Sequence, residues 1–93
     1  MSKLKKKPNL HDAMRHPLRL AILTRMAKGE IVSPKILSDD MDDATVSTVA
    51  YHVRVLVSAG ALKLVRTEPR RGSVEHFYKL IIKEPWALAA LGV

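Results

Sequence analysis

Cysteine is absent from the chain, which excludes disulfides and thiolate metal sites and fits a reducing compartment. Long apolar runs are missing too. None approaches the roughly 18 residues of a membrane span, and the lysine-rich start is not followed by the apolar core of a signal peptide. Glycine is scarce, and its four copies stand singly at Gly29, Gly60, Gly72 and Gly92, so no glycine-rich loop can cradle a phosphate. No nucleophile-elbow glycine pattern exists. The four histidines, His11, His16, His52 and His76, never fall at the i, i+4 spacing of ligands on one helix face, and a zinc site needs three or four convergent donors. His11 and Asp12 are sequence neighbours and cannot stack as an oriented base and its partner. The expectation is a protein with no catalytic residues, no metal and no cofactor.

What remains is small, apolar enough to fold, and basic. The chain has 93 residues, 47% of them hydrophobic, which suits a globular core and not a disordered tail. A chain of this size buries only about 60–65% of the surface its unfolded form exposes, so one small domain is all it can build. Sixteen lysines and arginines against nine acids give a net charge of +7. That balance points to a polyanion partner in a soluble, cytoplasmic setting. The charge is uneven: residues 1–8 carry four lysines and no acid, and residues 9–60 are neutral. Residues 61–93 are basic again, through Lys63, Arg66, Arg70, Arg71, Lys79 and Lys83 against Glu68, Glu75 and Glu84.

The apolar spacing predicts a short helical turn over 10–15 and a helix over 17–28, started by Pro17 and stopped by Gly29. Leu18, Leu20, Ile22, Leu23, Met26 and Ala27 fill its apolar arc, with Arg19 as the exception, its stem packed and its guanidinium reaching outward. Ser33-Pro34 is a hydroxyl cap followed by proline, the start of a short helix to about Met41. After a polar turn at Asp42-Asp43-Ala44, a helix over 45–59 runs to Gly60. Val46, Val49, Val53, Leu56 and Val57 form its core stripe. Ser47, Thr48, Tyr51, His52, Arg54 and Ser58 form its polar side, and Val55 is expected to pack beneath the segment that follows.

After Gly60 the period shortens to two. Ala61–Thr67 and Val74–Ile82 are expected strands around a six-residue basic loop, 68–73, and together they form a hairpin. Pro85 to Gly92 is a short apolar helix. The predicted architecture is α+β, mainly α: a winged helix-turn-helix of three to four helices, a two-stranded wing and a short C-terminal helix. Residues 1–8 form a basic tail, 9–83 the domain, and 84–93 a segment that either caps its own core or crosses to a second chain. A polar helix face beside a basic hairpin suits a major groove about 12 Å wide.

The run His16-Pro17-Leu18-Arg19-Leu20-Ala21-Ile22-Leu23, the run from Val49 to Gly60, and Arg71-Gly72-Ser73-Val74-Glu75-His76-Phe77-Tyr78 resemble three blocks of the ArsR-type winged helix-turn-helix regulators. They hold order over about residues 10–80. The resemblance implies a homodimeric, repressor-like regulator on an imperfect palindrome of double-stranded DNA, dimerised through its first and last helices. It places Thr45, Ser47, Thr48 and Tyr51 at the front of the reading helix, His52 and Arg54 nearer phosphates, and Arg70 and Arg71 on the wing. Apart from the resemblance, the lysine run Lys3–Lys7 reads first as a solvated tail and second as an arm on phosphates.

Two departures stand out. Asp39, Asp40, Asp42 and Asp43 make the turn acidic, where phosphates would be repelled. The short helix also reads Lys35-Ile36-Leu37-Ser38, without the cysteine pair of metal sensors in that family, and the last helix has no histidine. His52, at the border of the two helix faces, could instead hold the helix to the body. The acidic turn is also what a winged-helix module for binding protein, without specific DNA binding, would carry.

Overall fold

Proline or a polar cap starts every helix among residues 8–93, the residues that the computed structural model describes. The order is α1 (Leu10–Ala13), α2 (Pro17–Met26), α3 (Pro34–Asp39), α4 (Val46–Ser58), β1 (Leu62–Arg70), β2 (Ser73–Leu80) and α5 (Pro85–Ala90). This is a mainly helical winged helix-turn-helix. The lysines of the expected basic tail, Lys3 to Lys7, lie outside the described residues.

Helix starts follow the sequence closely because each cap satisfies an amide that the helix cannot. Ser33 Oγ accepts from the Ile36 amide at 3.2 Å, and Thr45 Oγ1 from the Thr48 amide at 3.2 Å. At α2 the cap is a histidine: His16 Nδ1 accepts from the Leu18 amide at 3.1 Å. Arg19, the one charge on the apolar arc of α2, donates from Nε to the Ala13 carbonyl at 2.9 Å and so closes the end of α1. Helix ends come earlier than the apolar spacing suggests, at Met26 and Asp39.

One core joins all the helices and the base of the hairpin. Ile22, Leu23 and Met26 of α2, Leu37 of α3, and Val49, Val53 and Leu56 of α4 are fully enclosed, with Leu62 beneath them. Ala87 and Leu91 place the C-terminal segment against this same core, while Trp86 stays half-exposed with its ring 6.0 Å from that of His11. Val46 and Val57 are exposed, unlike the expected core stripe. The core takes only the centre of that stripe, because α3 and the hairpin leave its edge uncovered.

The hairpin differs most from expectation. The strands extend to Arg70 and Ser73, so the six-residue loop is in fact a two-residue turn, Arg71-Gly72. Gly72 takes φ +66°, a left-handed conformation that glycine adopts without steric cost. Pro69 is tolerated because each strand of a two-stranded ribbon has an outer edge that needs no donor. A bulge at Val65 breaks the expected alternation: the register passes from Leu64 opposite Tyr78 to Arg66 opposite Phe77. Leu64 and Val65 are both exposed as a result, and the Arg66 guanidinium lies 4.3 Å from the centre of the Phe77 ring.

A further strand contact was not evident from sequence. Val32 and Tyr78 exchange both backbone hydrogen bonds, at 3.0 and 2.8 Å, and so seat the hairpin beside the start of α3.

Leu56 has no exposed surface, and a Leu56→Ala cavity should cost about 2–5 kcal/mol of stability. In a domain this small, urea denaturation should show the variant partly unfolded in buffer.

Candidate nucleic-acid interface

The open face of α4 follows from which face is buried. With Val49, Val53 and Leu56 turned inward, a 100° step per residue turns Ser47, Tyr51, Arg54 and Ser58 outward, and all four are exposed. Tyr51 is 54% exposed. Thr45 and Thr48 are exposed at the start of the helix, their hydroxyls 3.0 Å apart. The Thr45 hydroxyl is also the helix cap, so it is oriented by the backbone and not by solvent. Ser47, Thr48, Tyr51 and Arg54 therefore lie together on one accessible surface.

His52 does not share that surface. It is 8% exposed, its ring 4.4 Å from the His16 ring and 5.0 Å from Tyr51. Its Nδ1 has no hydrogen-bond partner among the described residues. Burial, and then the neighbouring His16 and Arg19, push its pKa down. An uncharged, enclosed imidazole holds α4 to the start of α2 by packing. The expected place near phosphates is corrected: at this border position the residue turns inward, toward His16.

The hairpin runs beside α4 and leaves a groove of about 560 Å³. Its floor is apolar, with Pro34, Val46, Ala50, Val74 and Tyr78, and its rim holds Lys35, Arg54, Arg70 and Arg71. Lys35 was not singled out in the sequence; its only signal was its place in the first turn after Ser33-Pro34. Val55, expected beneath the hairpin, packs against the core cluster that includes the hairpin base, and does not line this groove.

The rim cations are not equivalent. Arg70 lies between two carboxylates, with Nη2 at 2.8 Å from Glu68 and Nε at 2.8 Å from Glu75. Glu68 and Glu75 face each other directly in the strand register. Such like-charge pairs are unfavourable, and Arg70 offsets the repulsion. Arg66 adds a bond to Glu68 at 2.9 Å, and the Arg66 and Arg70 guanidiniums hold the Glu68 carboxyl below its usual pKa. The same carboxylates, Glu68 first, raise the pKa of Arg70. Arg54 and Arg71, by contrast, make no ion pair or side-chain hydrogen bond with another described residue.

The acidic turn is half neutralised. Arg25 bridges Glu30 and Asp40, and Lys35 lies 3.5 Å from Asp39. Asp42 and Asp43 are exposed and have no such partner among the described residues. No group of three or more histidine and carboxylate side chains that could hold a metal occurs among the described residues, and no helix there is long and apolar enough to cross a membrane.

The lowered pKa of His52 sets a pH dependence with a definite sign. Below its ordinary value of 6.5, the unfolded chain takes up a proton that the folded chain resists, so stability is full above that pH and declines as pH falls. Thermal melts from about pH 7.5 to 5 should show this decline, with a shallower one in His52→Leu. Equal slopes in the two proteins would assign the titration to another group.

Comparison with curated proteins returns no match. A helix-turn-helix domain model matches residues 14–65, more than half of the 93 residues. The match takes in α2, the α3–turn–α4 unit and the first part of β1, the elements that present the open helix face and begin the hairpin. The chain belongs to the helix-turn-helix domain family.

Proposed function

We propose that this protein is a transcriptional regulator of the ArsR-like winged-helix kind, a repressor-like homodimer in the cytoplasm that binds double-stranded DNA sequence-specifically. The observation that carries this reading is the exposed polar face of α4 with two arginines, Arg54 and Arg71, that have no ion pair among the described residues. Residues 9–83 act as the DNA-binding domain. In each protomer α4 enters a major groove, with Thr45, Ser47, Thr48 and Tyr51 toward base edges and Arg54 toward the flanking phosphates. The Tyr51 ring can pack on a sugar or thymine methyl while its hydroxyl bonds a phosphate. Arg71 reaches backbone or minor groove from the hairpin tip, with Arg70 held beside it. The half-exposed Trp86, next to His11, supports a dimer contact through α1 and the 84–93 segment.

Asp42 and Asp43, exposed and without an ion pair among the described residues, favour a second reading, a winged-helix module that binds protein. Retention on heparin and random duplex DNA separates the two, since elution before about 0.2 M salt would favour the second.

Selection of bound sequences from a random duplex pool should return an imperfect palindrome. Neutralising about six phosphates per dimer should give a log–log salt slope near −5. Arg71→Ala should weaken binding to every sequence and flatten that slope by about one unit per protomer. Tyr51→Ala should instead reduce discrimination between the selected and random duplexes. A flat salt dependence, or no enriched sequence, would refute the proposal.

A further inference from the structure

Glu75 is the acidic residue of a groove otherwise rimmed by cations. Its side chain is only 14% exposed, and each of its two oxygens has a different partner. Oε1 accepts from Arg70 Nε at 2.8 Å, and Oε2 accepts from the Ser33 hydroxyl. Ser33 is fully buried and is itself the cap of α3, accepting from the Ile36 amide. A hydroxyl can accept from an amide and donate to a carboxylate at once. The bonds thus form a continuous chain from the first turn of α3, through Ser33 and Glu75, to Arg70 and Glu68 on the hairpin. It lies beside the Val32–Tyr78 backbone pair, the other link between hairpin and helix-turn-helix in this region.

We propose that Glu75 is a positioning residue for DNA recognition: it ties the wing to the start of α3 and so sets where Arg71 stands relative to the open face of α4. The inference rests on the DNA-binding reading and deepens it. Its consequence runs against simple electrostatics. Removing a carboxylate from a phosphate-facing groove should strengthen binding if Glu75 only screens its neighbours. If it positions the wing, the same change weakens binding to the correct site, because Arg71 no longer arrives in register with α4. A phosphate contact that needs no register is spared.

The test compares wild type with Glu75→Gln, which leaves one acceptor oxygen and removes the charge. Each protein is titrated with the duplex selected from the random pool and with a random-sequence duplex, at several salt concentrations. Amide hydrogen exchange is followed in the DNA-free proteins. We expect binding to the selected duplex to fall about tenfold, the scale of one charge-assisted hydrogen bond, with no loss on random duplex. Exchange should accelerate at residues 73–78 and stay unchanged in α2, which shows that the core is intact. Tighter binding to both duplexes, or unchanged hairpin exchange, would overturn the proposal. If wild type binds neither duplex, the functional reading fails, and hairpin exchange alone still decides whether Glu75 ties the wing.

Discussion

The structure depends on burying one stripe of α4. Val49, Val53 and Leu56 have no exposed surface and meet α2, α3 and the base of the hairpin. A helix pinned along that line has one rotation left to it, and the rotation turns Ser47, Tyr51 and Arg54 outward. His52 strengthens the constraint from the side, packed at a tilt against the histidine that caps α2. In a chain with so little core, that stripe positions the candidate recognition surface as well as stabilising the fold.

Charge is arranged more sparingly than the net +7 suggests. Arg66 and Arg70 are paired with Glu68, Arg70 also with Glu75, and Arg25 with Glu30 and Asp40. Apart from Glu75, the groups in these pairs are partly exposed, and such pairs add little stability individually. On the rim of the groove they commit Arg70 to carboxylates and leave Arg54 and Arg71 without an ion pair among the described residues. A long-range attraction for polyanions and a short list of oriented contacts can therefore coexist in one small domain.

Much of the fold was legible because its signals are local. Ser33-Pro34, Thr45, Gly60 and the change of period after it mark element starts and stops whatever the rest of the chain does. The hairpin was harder. Pro69 and Gly72 suggested a loop, but pairing of Glu68 with Glu75 and of Arg70 with Ser73 draws the loop residues into the ladder. The bulge at Val65 has no sequence signature, since it depends on how the strands twist over the core. The candidate interface was legible in outline: Ser47, Thr48, Tyr51 and Arg54 lie together on the open surface of α4. Lys35 could not be placed on the groove without knowing that α3 and the hairpin converge there.

By itself the sequence determined the order of helices and strands, the two-faced character of α4 and the exclusion of thiol chemistry. Caps, breakers and apolar spacing act over a few residues and need no distant partner. Only the tertiary structure decided that His52 turns inward, that Val46 stays outside the core, and that Arg70 is committed to two carboxylates while Arg71 is not. Each of those outcomes is set by what another element brings alongside: His16 from the start of α2, the groove between α3 and the wing, and Glu75 from the opposite strand. His16 and the α3–wing groove come from distant parts of the chain, and Glu75 reaches Arg70 only through the strand register, so local patterning does not encode their approach.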